Sequence, residues 1–173
     1  MPAQQIPVPE AIRRIADSED RKLAWTFFVF FSRMEYALKR SGTYLKAGTS
    51  DAQPNWGKFA SDYNNRFHPD ASPELTAAVD YFLANPPRKQ LNKHGAIAWS
   101  DPQGYDGKEP VLIWRLHALR HVRNNLFHGG KFPSIPIAEP SRDRELLVNS
   151  MVILNACLPL DSAVTSHFED SDE

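Results

Sequence analysis

Between about Glu19 and Ser41, apolar side chains recur at steps of three and four residues, with Leu23, Phe27, Phe30, Met34 and Leu38 on one stripe. That period belongs to a helix and not to a strand, so the chain contains a long helix with one face committed to a core. Ala24, Phe28 and Phe31 add a second apolar face, and Gly42 supplies the stop. A helix apolar around most of its girth has to be covered on two sides. One side is expected inside a helical bundle and the other against a second copy of the chain.

The remaining segments are read outward from this helix. Met1–Pro9 carries three prolines and reads as an arm, and Glu10–Ala16 as a short helix. Thr43–Pro54 is polar and loop-like, and Asn55–Asn65 has Trp56, Phe59, Ala60 and Tyr63 at helical spacing. Ser72-Pro73-Glu74 opens the next helix with a capping Ser and a Pro at the first helical position. This helix carries Leu75, Val79 and Phe82 and ends before Pro86-Pro87. Residues 86–109 are the least regular stretch, read as a long irregular loop with Trp99 as its tether. Pro110 then opens a helix with Leu112, Leu116, Leu119, Val122 and Leu126 inward, and Arg115, His117, Arg120, His121 and Arg123 outside that stripe. After a Pro-rich connection, Ser141 caps a last helix facing inward through Leu146, Leu147, Met151, Leu154, Leu158 and Leu160. No run alternates strongly enough to read as a sheet.

These segments predict an all-α fold, an up-and-down bundle of four to six helices over residues 1–168, with 169–173 as an acidic disordered tail. A chain of 173 residues buries a substantial core as one domain. The single cysteine, Cys157, lies in an apolar run and reads as a small core residue, which removes disulfide frameworks and thiolate metal clusters. The N-terminus has no apolar signal region and no apolar run is long enough to span a bilayer, so the expected location is the cytoplasm. No phosphate-binding or dinucleotide-binding glycine loop, nucleophile elbow or paired-cysteine zinc spacing is present. His117 and His121 are four apart, as helical metal ligands are, but no Glu follows His117 and no third ligand is evident. No cofactor and no metal are expected.

The chemistry gathers in one place: Arg123-Asn124-Asn125-Leu126-Phe127-His128-Gly129-Gly130-Lys131 sets a guanidinium, two amides, an imidazole and an ammonium at a helix end. Metal-free RNA cleavage needs a base for the 2′-hydroxyl, an acid for the leaving 5′-oxygen and a cation for the phosphorus oxygens. Histidine suits the proton transfers. Arginine's planar fork suits the phosphate. His128 falls in the last turn, where the helix dipole favours its protonated form. On an ideal helix, positions five apart point about 140° from each other, so Arg123 joins His128 only by bending or where the helix loosens at the glycines. From Tyr105 to Ile135 five cations stand against two anions in a chain of net charge −1. A phosphate-backbone partner needs such a local patch.

An Arg and a His separated by four residues, with Asn124 after the Arg and Gly-Gly after the His, resembles the R-x4-6-H signature of HEPN domains. Arg88 to His94 and Arg115 to His121 fit the bare spacing too, and lack that context. The resemblance implies a helical, metal-independent endoribonuclease that acts as a homodimer, with two copies of the motif lining one cleft. It carries Arg123 and His128 over as catalytic and Asn124 as supporting; Arg120, Asn125 and Lys131, beside them at the basic helix end, are expected to bind RNA. It also implies a toxin or phage-defence role and a possible antitoxin or regulatory protein. HEPN toxins that a nucleotidyltransferase modifies carry a Tyr two residues after the His; Gly130 stands there. Two alternatives stay open: Arg123 and His128 as a structural pair, and the chain as a non-catalytic helical module that binds a protein or nucleic acid. Glu35, inside the Phe-rich helix, reaches solvent, or pairs with Arg120 or Arg123 and orients the site.

Overall fold

The computed structural model describes residues 21–127 and 140–170. The fold is mostly helical: α1 (Arg21–Arg40), α2 (Trp56–Tyr63), α3 (Pro73–Ala84), α4 (Val111–Phe127), α5 (Pro140–Cys157) and α6 (Ser162–Glu169), with a 3-10 turn at Leu158–Leu160. No single helix among the described residues is long and apolar enough to cross a membrane.

The Phe-rich helix is the hub, packing on α6, α5 and α4, while α2 lies on α4 and α3 on α5. Its buried positions are Phe27, Phe31, Met34, Ala37 and Leu38, so the inward stripe runs through Phe31 rather than Phe30. Each fully buried Phe or Leu contributes about 1.5–3 kcal/mol relative to exposure. The second apolar side is covered in part from within the chain. Phe30 meets Phe168 of α6 at 5.3 Å between ring centroids, and Phe28 meets Phe127 at the end of α4 at 4.9 Å. Trp25 and Val29 stay exposed on that side. The helix closes as expected at Gly42, whose φ of 72° suits only a glycine comfortably.

Local chemistry starts and stops the other helices. The Ser72 side chain accepts from the Leu75 N–H, and Asn85 ends α3 before the prolines. Asn64, at the end of α2, accepts from the Leu112 N–H at 3.1 Å and so caps α4 from a distant part of the chain. Asp161 ties three segments together. Its carboxylate accepts from the Val164 N–H at the start of α6 and from the hydroxyls of Tyr63, at 2.6 Å, and Tyr44, at 3.3 Å. Burial alone would push that carboxyl up, but the hydrogen bonds outweigh it and hold it below its ordinary value.

The structure departs from the sequence reading elsewhere as well. Within the supposed irregular loop, β1 (Gln90–Lys93) and β2 (Ala96–Trp99) form an antiparallel hairpin, so the fold is not purely helical. Its two-residue turn, His94-Gly95, takes positive φ at both positions, as a primed turn requires. The strands leave no period to read because none of their eight residues is buried: six are exposed and two half-buried, so neither face alternates. Arg115, expected outside the stripe, is 3% exposed, packed over the Phe67 ring. The segment after Cys157 is a 3-10 turn and a separate helix α6, with Asp161 as its cap. That helix runs through Glu169, and Asp170 donates its N–H to Ser166, so regular backbone continues into the acidic stretch. Finally, α5 is described from Pro140, which puts Ser141 inside its first turn and not at its cap. Cys157 is buried, as the sequence suggests, and burial pushes its thiol up to about 12.

Candidate functional site

Two helix faces meet to make the site, each built from side chains one turn apart. On α1, Phe31, Glu35 and Lys39 follow at four-residue steps; on α4, Arg120, Arg123 and Asn124 stand at the i, i+3 and i+4 positions. Between them, with the loop Ala52–Pro54 at the rim, lies a cavity of about 290 Å³. The loop is folded into place by a bridge between Leu45 and Pro54 and by the Lys46 N–H donating to Gln53.

Arg123 is fixed at this cavity from three directions. Its Nη2 donates to Glu35 Oε2 at 3.2 Å, its Nη1 donates to Asn124 Oδ1 at 3.0 Å, and the guanidinium lies 5.6 Å from the centroid of the Phe31 ring. Glu35 is held in turn by Trp56, whose indole N–H donates to Oε1 at 3.4 Å. Both charged side chains keep a share of solvent, with 34% of Arg123 and 21% of Glu35 exposed. An ion pair so placed is a positioning device more than a large source of stability, worth about 1 kcal/mol. With Lys39 and Arg120 also on its wall, the cavity carries three cations and one carboxylate, which suits an anionic guest.

The other candidates fall in different places. Asn125 points away from the cavity and donates from Nδ2 to the Arg88 carbonyl at 2.8 Å, tying the foot of the hairpin to α4. His128 and Lys131 lie outside the described residues. His121 is half-buried, and burial first, then the positive charges of Lys89, His117 and Arg120, lower its pKa to about 4. It is therefore neutral at neutral pH. Among the described residues no three His, Cys, Asp or Glu side chains gather as a cation would need.

Of the two pairings open for Glu35, the structure makes the one with Arg123 and leaves Arg120 exposed. Sequence reasoning did not single out Lys39, Ala52–Pro54 or the Trp56 indole as parts of the site. The four-residue spacing of Phe31, Glu35 and Lys39 was the available signal for the first, whereas the others depend on how the loop folds back. Comparisons with family models, with curated proteins and with solved structures found no match to this chain.

Proposed function

We propose that this chain is a HEPN-type, metal-independent endoribonuclease, built as an up-and-down helical bundle and acting as a homodimer. The observation that carries the reading is the fixed guanidinium of Arg123, gripped by Glu35 and Asn124 on the wall of a cationic cavity of about 290 Å³. In the proposed reaction the 2′-oxygen attacks the adjacent phosphorus. The P–O2′ bond forms as the P–O5′ bond breaks, one His128 accepts the 2′-hydroxyl proton, and the partner copy's His128 donates a proton to the 5′-oxygen. Products are a 2′,3′-cyclic phosphate and a 5′-hydroxyl. Arg123 offsets the negative charge that builds on the phosphorus oxygens, where preorganised donors contribute most. Asn124 holds the guanidinium in plane, and Arg120 and Lys131 hold neighbouring phosphates. A cytoplasmic toxin or phage-defence effector, restrained by an antitoxin or regulatory protein, fits that activity.

One observation favours a second reading. Both terminal nitrogens of Arg123 already have protein partners, which is also how a structural arginine in a non-catalytic binding module is used. Cleavage of a mixed single-stranded RNA in EDTA separates the two. The enzyme reading expects cutting that Arg123→Ala and His128→Ala each abolish, with cyclic-phosphate ends. RNA binding without cutting by the wild type supports the module, and equal cutting by all three preparations removes the motif from both.

A further inference from the structure

No strand residue of the β1–β2 hairpin is buried, and its surface has a definite chemistry. The register Gln90↔Trp99 and Asn92↔Ile97 puts an indole, an aliphatic side chain and two amides on one face. Ile97 is 78% exposed and Trp99 37%. Arg88 and Lys89 stand at the foot and Lys93 beside the turn, and no Asp or Glu occurs between Asp80 and Asp101. In a chain of net charge −1 that is a local excess of positive charge set around exposed apolar surface. Ile97 and Trp99 lie on the same exposed ribbon face, where they add little to the fold and offer apolar surface to a partner.

The foot of the hairpin is fixed to the helix that carries Arg123. Asn125 donates to the Arg88 carbonyl, and the pair Lys89 N–H to Ser100 Oγ and Ser100 N–H to Lys89 carbonyl closes the ribbon there. Lys89 is also near enough to His121 to help lower its pKa, alongside Arg120 of the cavity wall. Cations therefore continue from the ribbon along α4 to the cavity, without a carboxylate of the hairpin intervening.

We propose that the hairpin is a second binding element for single-stranded RNA, in which Trp99 stacks on a base, Gln90 and Asn92 meet base edges, and Arg88 and Lys93 meet flanking phosphates. The assignment of RNA rests on the reading of the Arg123 cavity as a ribonuclease site. Stacking on an exposed aromatic is tolerant of sequence and needs an unpaired base. An acidic peptide would use the cations and leave the indole and amides idle.

The test is fluorescence anisotropy of the whole protein with an end-labelled 2′-O-methyl single-stranded 20-mer, which cannot be cut, and with its duplex. Trp99→Ala should weaken single-strand binding roughly tenfold, with Trp99→Phe restoring most of it. Arg88→Glu with Lys93→Glu should weaken it about tenfold and flatten its salt dependence. Unchanged affinity in either variant overturns the proposal, as does equal loss on the duplex, displacement of the RNA by polyglutamate at equal charge, or no binding by the wild type. The two readings fail separately. If no preparation cuts RNA yet the hairpin variants lose binding, the ribonuclease falls and the hairpin stands. If Arg123→Ala abolishes cutting while the hairpin variants bind as wild type, the reverse holds.

Discussion

Arg115 and Arg123 stand about two turns apart on α4 and live in opposite surroundings. Arg115 is 3% exposed, and its Nε and Nη1 have no hydrogen-bond partner among the described residues. Burial pulls its pKa below the ordinary guanidinium value, although the Asp80 carboxylate works the other way. Arg123 is half-buried, with a carboxylate, an amide and an aromatic ring placed around it. The first arginine sits in the core with two nitrogens unpaired; the second is gripped at a cavity wall. One helix thus carries a charge that costs stability and a charge that has been positioned, and burial alone does not tell them apart.

The sharpest way to break that contrast is to remove each in turn. Arg123→Ala should lower single-turnover RNA cleavage by about 10²-fold or more, on the scale of losing one preorganised oxyanion donor, while the melting temperature falls only slightly. A large loss of stability with no loss of rate would make Arg123 the structural residue. Arg115→Met should do the opposite, leaving cleavage unchanged and raising stability in denaturant by about 1–3 kcal/mol, because a buried charge with two unpaired nitrogens is replaced by an apolar side chain of similar length. A fall in stability there would mean that the guanidinium is satisfied after all.

Two smaller effects sharpen the comparison. Glu35→Gln keeps the shape and removes the charge, so the rate should fall about tenfold with less than about 1 kcal/mol of stability lost. If Glu35→Gln cuts as fast as the wild type, the carboxylate does not orient Arg123. His121 lies between the two arginines and predicts a pH dependence. Its folded pKa of about 4 lies below the unfolded value of 6.5, so the unfolded chain takes up the proton first as pH falls. Stability is lost from about pH 6.5 down to about 4 and then levels, by on the order of 1 kcal/mol after discounting for its partial exposure. His121→Phe should flatten that limb in urea titrations at a series of pH values.

Legibility in the sequence followed the same divide between positions ruled by local chemistry and positions ruled by packing. The Phe-rich helix and the start of α3 could be read because a 3.6 period and a Ser-Pro-Glu cap act within a few residues. Glu35 was legible as a carboxylate in need of a partner, and its pairing with Arg123 rather than Arg120 waited on the angle at which α1 meets α4. The hairpin left one local trace, His94-Gly95 between short runs, and its strands lack the alternation that a buried face would have imposed. Arg115 was misplaced because an amphipathic reading assigns every charge to water, and the wide buried face of α4 does not. The start of α6 was written in Leu158-Pro159-Leu160-Asp161, a 3-10 turn followed by a cap, inside what otherwise reads as one continuing apolar helix.

The hub position of α1 has a consequence for how the protein is made. Its apolar sides are closed by α4, α5 and α6, and α6 begins about 120 residues after α1 ends. At ribosomal speeds of about 5–20 residues per second, roughly 6–24 s pass between the emergence of the two. Throughout that interval Phe27, Phe30, Phe31 and Met34 have no native cover on the α6 side, so the nascent chain offers a ready target to chaperones that hold exposed aromatic helices. Asp161 fastens Tyr44 and Tyr63 from 117 and 98 residues further along the chain, so this tie closes well after α1 and α2 have emerged.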